Sequence, residues 1–282
     1  MLDYAVEVEA FDAQVGLLVA ALEAAGEAKH TLVIVNSDNG MPFPGVKGHT
    51  CDTAHHMSFV ASWPDGITRP GRRVADFISF IDLAPTFLEL CGVDGPDKGM
   101  SPITGRSFTD LLQGEPKAER RFLIIGRERN DVLCRPGSPA GLGYPARAIR
   151  EGNFLYVHNF APDRWPCGNP ELGLKDTDAS PTKALIEDSG ETDLFWQLAF
   201  GKRPAVQLFD LARDPDCVKN LAADPAFARQ TAALREKLMA ELKKQNDPRV
   251  LGNGDMFDQY LSPRAKGADD APTKKAKKKA RQ

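Results

Sequence analysis

Tyr4, Val8, Phe11, Val15, Leu18 and Leu22 recur at steps of four and three, which predicts a helix with a single apolar stripe ended near Gly26. The next apolar positions do not alternate with polar ones. "TLVIV" (31–35) is a continuous run, the pattern of a strand covered on both faces as in a parallel sheet. A second run, "SFVASWP" (58–64), is closed by Pro64 and Gly66. In "FIDLAPTFLELCGV" (80–93) Asp82 can cap a helix, Pro85 is tolerated in its first turn and Gly92 ends it. Helix and strand signals that alternate in this way predict a layered α/β domain.

After about residue 120 the pattern shortens. "RAIREGNFLYVHNF" (147–160) reads as two strands joined by Glu151-Gly152-Asn153, a hairpin. "VQLFDL" (206–211) is a further strand. In "DPAFARQTAALREKLMAELKKQNDP" Asp224 caps, Pro225 takes the first helical position, Pro248 marks the stop, and Phe227, Leu234, Leu238 and Leu242 line one face. Residues 161–200, rich in Pro, Gly, Asp and Trp, read as a long ordered loop. The expected division is an α/β part over 1–120, a small antiparallel sheet packed on a long helix over 121–262, and a tail over 263–282.

Composition narrows the class. With 282 residues, 42% hydrophobic and 27% charged, the chain can bury a substantial core. No apolar run reaches membrane-span length: "VGLLVAAL" (15–22) stops at Glu23. "MLDYAVEVEA" carries acids where a leader has its positive region, so the sequence assigns no compartment. Cys51, Cys91, Cys134, Cys167 and Cys217 form no CxxC and no close pair, so they are expected to be free or buried thiols. The formal charge of −3 hides an asymmetry: the last fifteen residues hold five Lys and one Arg against two Asp, leaving −7 on the rest. Such a tail cannot order itself on a core and is expected to be a disordered solubilising end rather than a polyanion-docking arm; neither nucleic acid nor membrane is an expected partner.

One strand end carries chemistry. "TLVIVNSDNG" delivers Asp38 and Asn39, a carboxylate and an amide oxygen, where ligands of α/β sheets gather, and oxygen donors suit a hard cation such as Ca²⁺ or Mg²⁺. Gly40 lets the backbone turn without a Cβ. Asp-Asn-Gly is also a common turn, and spacing alone leaves both readings open.

The helix with "FDAQVG", the strand "TLVIVNSDNG", a following lysine, "VASWPDGI" and "ISFIDLAPTFLELCGV" stand in an order that resembles the sulfatase family of the alkaline phosphatase superfamily. Within it, "SDNGMPFPGVKG", "GYPARAIREGNFLYVHNF" and "QLFDLARDPDCVKNLAADPAFARQ" are most similar to the heparan N-sulfatase branch, and the likeness covers most of residues 4–249. The resemblance implies the second part of an alkaline-phosphatase-like α/β domain. It also implies that Asp38 and Asn39 bind Ca²⁺ and that Lys47 touches the sulfate, where a cation offsets charge developing as the S–O or S–N bond breaks. His49, His55 and His56 cluster beyond Lys47. An imidazole can protonate a leaving group, but in a polar loop it is more often hydrogen-bonded structure, so His55 and His56 stand only as weak substrate contacts. Arg127 and Arg129 are either anion contacts or surface ion pairs.

The family's nucleophile, a formylglycine made from Cys in Cys-x-Pro-x-Arg, has no match: in "CRPGS" Ser138 stands where Arg is needed, and Cys134 lies downstream of the Asp-Asn strand, so it is rejected. No strand here ends in the paired Asp-Asp that supplies the family's other calcium ligands. The expectation is therefore a second part of a longer enzyme, with the formylglycine in a missing first half, an exposed sheet edge, weak calcium binding and no hydrolysis by itself. The implied activity is hydrolysis of sulfuric esters or sulfamates of sulfated or N-sulfated sugars. The alternatives are a phosphodiester or phosphonate monoester hydrolase of the same superfamily and a non-catalytic remnant. Oligomeric state is not legible.

Overall fold

The computed structural model describes residues 2–93, 95, 101–114, 116–130, 133–137 and 141–260. In chain order the elements are α1 (Leu2–Ala24), β1 (Val33–Asn36), α2 (Asp52–His55), β2 (Phe59–Ser62), α3 (Leu83–Leu90), α4 (Thr109–Gln113) and β3 (Phe122–Arg127). There follow β4 (Ala146–Glu151), β5 (Phe154–Asn159), α5 (Pro181–Ser189), α6 (Leu194–Phe200), β6 (Val206–Asp210) and α7 (Ala228–Lys244). They form two compact units, one within residues 1–37 and 58–121, the other within 38–57 and 122–282. The expected disordered tail at 263–282 lies outside the described residues. Among those described, no helix is long and apolar enough to cross a membrane.

In the first unit α1 ends as its sequence predicts: Gly26 takes φ +75°, and the N–H groups of Gly26 and Glu27 close on the carbonyls of Glu23 and Leu22 at 3.0 and 2.9 Å. Its apolar stripe exists but is not buried. Phe11 and Leu18 are 54% and 67% exposed, and no α1 residue is fully covered. The run "TLVIV" also differs from expectation: β1 pairs antiparallel with β2 in a two-stranded sheet, Val33 opposite Ser62 and Asn36 opposite Phe59, not in a parallel sheet. A continuous apolar run reports burial on both faces but carries no information on strand direction. The core here is Phe108, Leu111 and Leu112, with Phe59 edge-on to Phe108 at 5.8 Å.

"FIDLAPTF" organises this unit through two polar side chains. Buried Asp82 accepts from the N–H groups of Ser79 and Arg106 at 2.9 and 2.7 Å and pairs with Arg120 at 3.1 Å. Four residues on, Thr86 donates to the Asp82 carbonyl and accepts from the Phe108 N–H at 3.0 Å. The carboxylate and hydroxyl thus tie the start of α3 to the segment that enters α4, the Thr86 bonds and the Arg120 contact being buried.

The second unit is a four-stranded antiparallel sheet in the order β3-β4-β5-β6. Glu151 pairs with Phe154, leaving Gly152-Asn153 as a two-residue loop, and Gly152 at φ +54° occupies the first central position, as a type II′ turn requires. The period-2 alternation covers both faces: Ala146, Ala148, Leu155, Val157 and Phe209 on one side, Ile149, Tyr156 and Leu208 on the other. The second face is backed by Leu234, Leu238 and Leu242 of α7, the small sheet on a long helix that the sequence predicts. Asp224 caps as expected, accepting from the Ala226 N–H at 2.9 Å. Beyond α7 a strap, residues 247–260, returns over the sheet. Asp247 and Glu128 receive Arg147, Glu128 also receives Arg249, and Asp258 accepts from Arg164 and from the Gly143 N–H at 2.9 Å. Arg129 donates to the carbonyls of Phe257 and Tyr260.

Residues 161–200 are not a plain loop. They hold α5, capped by Ser180 on the Lys183 N–H with Pro181 at the first position, and α6, capped by Asp193 on two N–H groups. Their core is Cys167, Leu174, Trp196, Ala199 and Phe200.

Candidate active site

Asp38, Asn39, Lys47, His49, His55 and His56 all lie in the segment 38–57, which groups with the sheet-and-helix unit. Its turn is tight. The Gly40 N–H donates to the Ala54 carbonyl at 3.2 Å, and a Cβ on Gly40 would lie 2.6 Å from the Thr53 carbonyl oxygen and 2.9 Å from the Ala54 Cα. Glycine is required by this close approach of two backbones. Asp38 is exposed and its Oδ1 accepts from the Asn39 N–H at 2.9 Å; the Asn39 Nδ2 donates to the Gly40 carbonyl at 3.0 Å, which sets the amide's orientation.

Lys47 follows from the same turn, its N–H on the Met41 carbonyl at 3.3 Å. Its ammonium lies 2.8 Å from Asp178 Oδ2, the two side chains being 34% and 48% exposed. Next to it, Gly48 turns with φ +77° and faces Asn130, so that a Cβ would meet Asn130 Nδ2 at 3.1 Å. His49 then inserts into the interior, where its Nε2 stands 3.2 Å from Cys167 Sγ and Cys167 donates to the Ala199 carbonyl at 3.3 Å. Burial holds the His49 pKa well below its ordinary value, helped by the positive charge of Arg203 and Arg127, and burial likewise raises that of Cys167. The pair is neutral and structural: it clamps the segment to the second unit.

His55 and His56 are exposed but engaged locally. His55 Nε2 meets the His49 carbonyl at 2.7 Å, and His56 Nδ1 meets Asp52 at 3.1 Å, while Asp52 also binds Arg150. Arg127 and Arg129 do not stand out into solvent as anion contacts. Arg127 and Arg135 converge on one oxygen of the fully buried Asp176 and on the Pro166 carbonyl, and both lie over the Tyr144 ring at 5.3 and 5.8 Å. Burial pushes the Tyr144 phenol up to about 12 despite those cations. Asp178, Asn130 and Cys167 are site neighbours that the sequence did not point to; their partners lie 131, 82 and 118 residues away in the chain, measured from Lys47, Gly48 and His49. The one signal was an acid run, "KDTDASP", inside a segment read as loop.

The donor set suits a hard cation in type, not in number. Asp38 and Asn39 are adjacent oxygen donors, two of the six to eight that Ca²⁺ takes, and among the described residues no three His, Cys, Asp or Glu side chains converge as a metal cluster.

Comparison with known proteins shows what the chain is similar to. The family model described as Sulfatase matches residues 1–93, the stretch that holds the Asp-Asn-Gly turn and Lys47. The human N-sulphoglucosamine sulphohydrolase is 28% identical over 265 residues, covering 89% of this chain and 49% of that protein. The first third of this chain thus matches the sulfatase family model, and most of the chain is similar to a sulfohydrolase. Two solved structures share its fold: one in complex with its substrate D-glucosamine-2-N,6-O-disulfate (TM-score 0.54, 22% identity, 86% of this chain and 40% of that one) and the phosphonate monoester hydrolase of Agrobacterium radiobacter (TM-score 0.57, 24% identity, 83% and 39%). The fold is thus sulfatase-like α/β with small antiparallel sheets. The chain spans about half the length of the human relative and less of the two structures.

Proposed function

We propose that this chain is a member of the sulfatase family and serves hydrolysis of sulfuric esters or sulfamates on sulfated or N-sulfated sugars. In this reading Asp38 and Asn39 supply two oxygens to Ca²⁺, whose charge would draw in the sulfate, and Lys47 donates to a sulfuryl oxygen and offsets the charge that grows on it as the bond to the sugar breaks. His55 and His56 flank the substrate at most. The observation that carries this is the clamped segment 38–57, which bears the metal-type donors and the cation and is held within the second unit by His49.

The test is sulfate release from N-sulfoglucosamine and aryl sulfates, with Ca²⁺ present, by protein in which this chain accompanies the family's Cys-x-Pro-x-Arg motif. Lys47→Ala and Asp38→Ala are each expected to remove turnover by 10²-fold or more, on the order of a lost charge-stabilising contact. Turnover independent of both residues would sink the assignment. The phosphonate monoester hydrolase neighbour favours a second reading, a hydrolase of phosphorus esters, which the same assay decides by preference for phosphonate monoesters over sulfates.

A further inference from the structure

The Lys47–Asp178 contact places a carboxylate beside the cation that is to receive an anion, which is a poor arrangement for binding charge indiscriminately. Exposed ion pairs add little to stability, so stability does not explain it. The loop that carries Asp178 is nonetheless fixed on both sides. Lys183, buried in α5, donates to the carbonyls of Gly173, Leu174 and Thr177 at 3.0, 3.0 and 3.2 Å, Thr177 being the residue before Asp178. Two residues earlier, Asp176 is locked by Arg127 and Arg135, and two residues later Ser180 caps α5. Lys47 is fixed too, by the buried His49 and by Gly48 against Asn130, whose Nδ2 donates to the Asp176 carbonyl at 3.2 Å. Two preorganised loops therefore hold one carboxylate at a set position near one ammonium.

Resting on the reading of Lys47 as the sulfate contact, we propose that Asp178 is a specificity-determining residue that selects tetrahedral head groups bearing one negative charge against those bearing two. An ammonium has three donors. One stays on Asp178, and two remain for the oxygens of a sulfate ester, a sulfamate or another monoanion. A head-group oxygen at Lys47 then sits roughly 5 Å from the carboxylate, where each added unit of negative charge is disfavoured by about fourfold at the dielectric of bulk water and by more than about a hundredfold at that of a protein surface. Phosphate monoesters, dianionic above pH of about 6, carry that added unit. Repulsion placed against the wrong ligand is a recognised route to specificity.

The experiment measures dissociation constants at pH 8 by ligand-observed NMR for the full 282-residue chain with Ca²⁺. The probes are phenyl sulfate (one charge), methyl phenyl phosphate (one charge) and phenyl phosphate (two charges). The wild type is expected to bind the two monoanions more tightly than phenyl phosphate. Asp178→Asn should improve phenyl phosphate at least about fourfold more than it improves either monoanion, while Asp178→Glu, which keeps the charge, should retain the discrimination. If Lys47→Met weakens all three probes but Asp178→Asn leaves their ratios unchanged, the role of Asp178 is overturned and Lys47 keeps its assignment. If no probe binds, or Lys47→Met changes nothing, the reading of Lys47 falls, and the selection with it.

Discussion

His49 and Cys167 stand 3.2 Å apart, both neutral, and join the turn bearing Asp38, Asn39 and Lys47 to the core beneath α6. Because the folded protein disfavours the His49 imidazolium and the unfolded chain does not, its contribution is fully present above the unfolded value of 6.5 and is lost as pH falls below it. His158, also lowered by burial, adds with the same sign. Urea unfolding is therefore expected to show stability falling between pH 7 and pH 5. His49→Asn should flatten that slope by up to about 1.4 kcal/mol per pH unit. An unchanged slope would mean that the ring is not sequestered.

Gly40→Ala should cost about 1–3 kcal/mol, since the added methyl meets backbone that cannot swing aside. On the proposed reading of Asp38 and Asn39 as calcium ligands, calcium titration calorimetry of the same variant is expected to show weaker binding than wild type, because Asn39 and the turn must shift. Wild-type affinity would separate the turn from the metal.

Asp82→Ala strips three bonds from the interior of the first unit and leaves the Arg120 guanidinium, 5% exposed, without its carboxylate. A loss of about 3–5 kcal/mol is expected, read as a lower thermal midpoint. A shift of under a degree would show that water replaces the carboxylate.

Leu238, wholly buried under Ile149, Tyr156 and Leu208, is the test of the helix-on-sheet core. Leu238→Ala should destabilise by about 2–5 kcal/mol through lost burial and a residual cavity, measured by denaturant midpoint. Leu185→Ala, at a position 71% exposed, is the control and should stay near zero.

Local chemistry was the legible part of the chain. The Gly152 turn, the Asp224 cap and the hairpin of β4 and β5 are each dictated within a few residues, and the sequence predicts all three. The direction of β1 was not legible, because a continuous apolar run carries no information on strand polarity, and the strand is only half-buried. The helices α5 and α6 had local signals in Ser180-Pro181 and Asp193, but the surrounding Pro, Gly and Asp favoured a loop reading. The α1 stripe shows the opposite failure: its period is correct for a helix, yet period does not reveal whether anything covers the stripe. Around Lys47 the sequence shows the cation and hides its carboxylate, because a contact spanning 131 residues has no local pattern.

The strap over residues 247–260 has a practical corollary for anyone trimming this protein. A version cut at Asn246 would keep β1 to β6 and α1 to α7, yet Arg129, Arg147 and Arg164 would lose carbonyl or carboxylate acceptors. Far-ultraviolet dichroism of such a truncate would look nearly native while its interior rearranged, so secondary-structure content is the wrong yardstick for judging where the chain can safely be shortened.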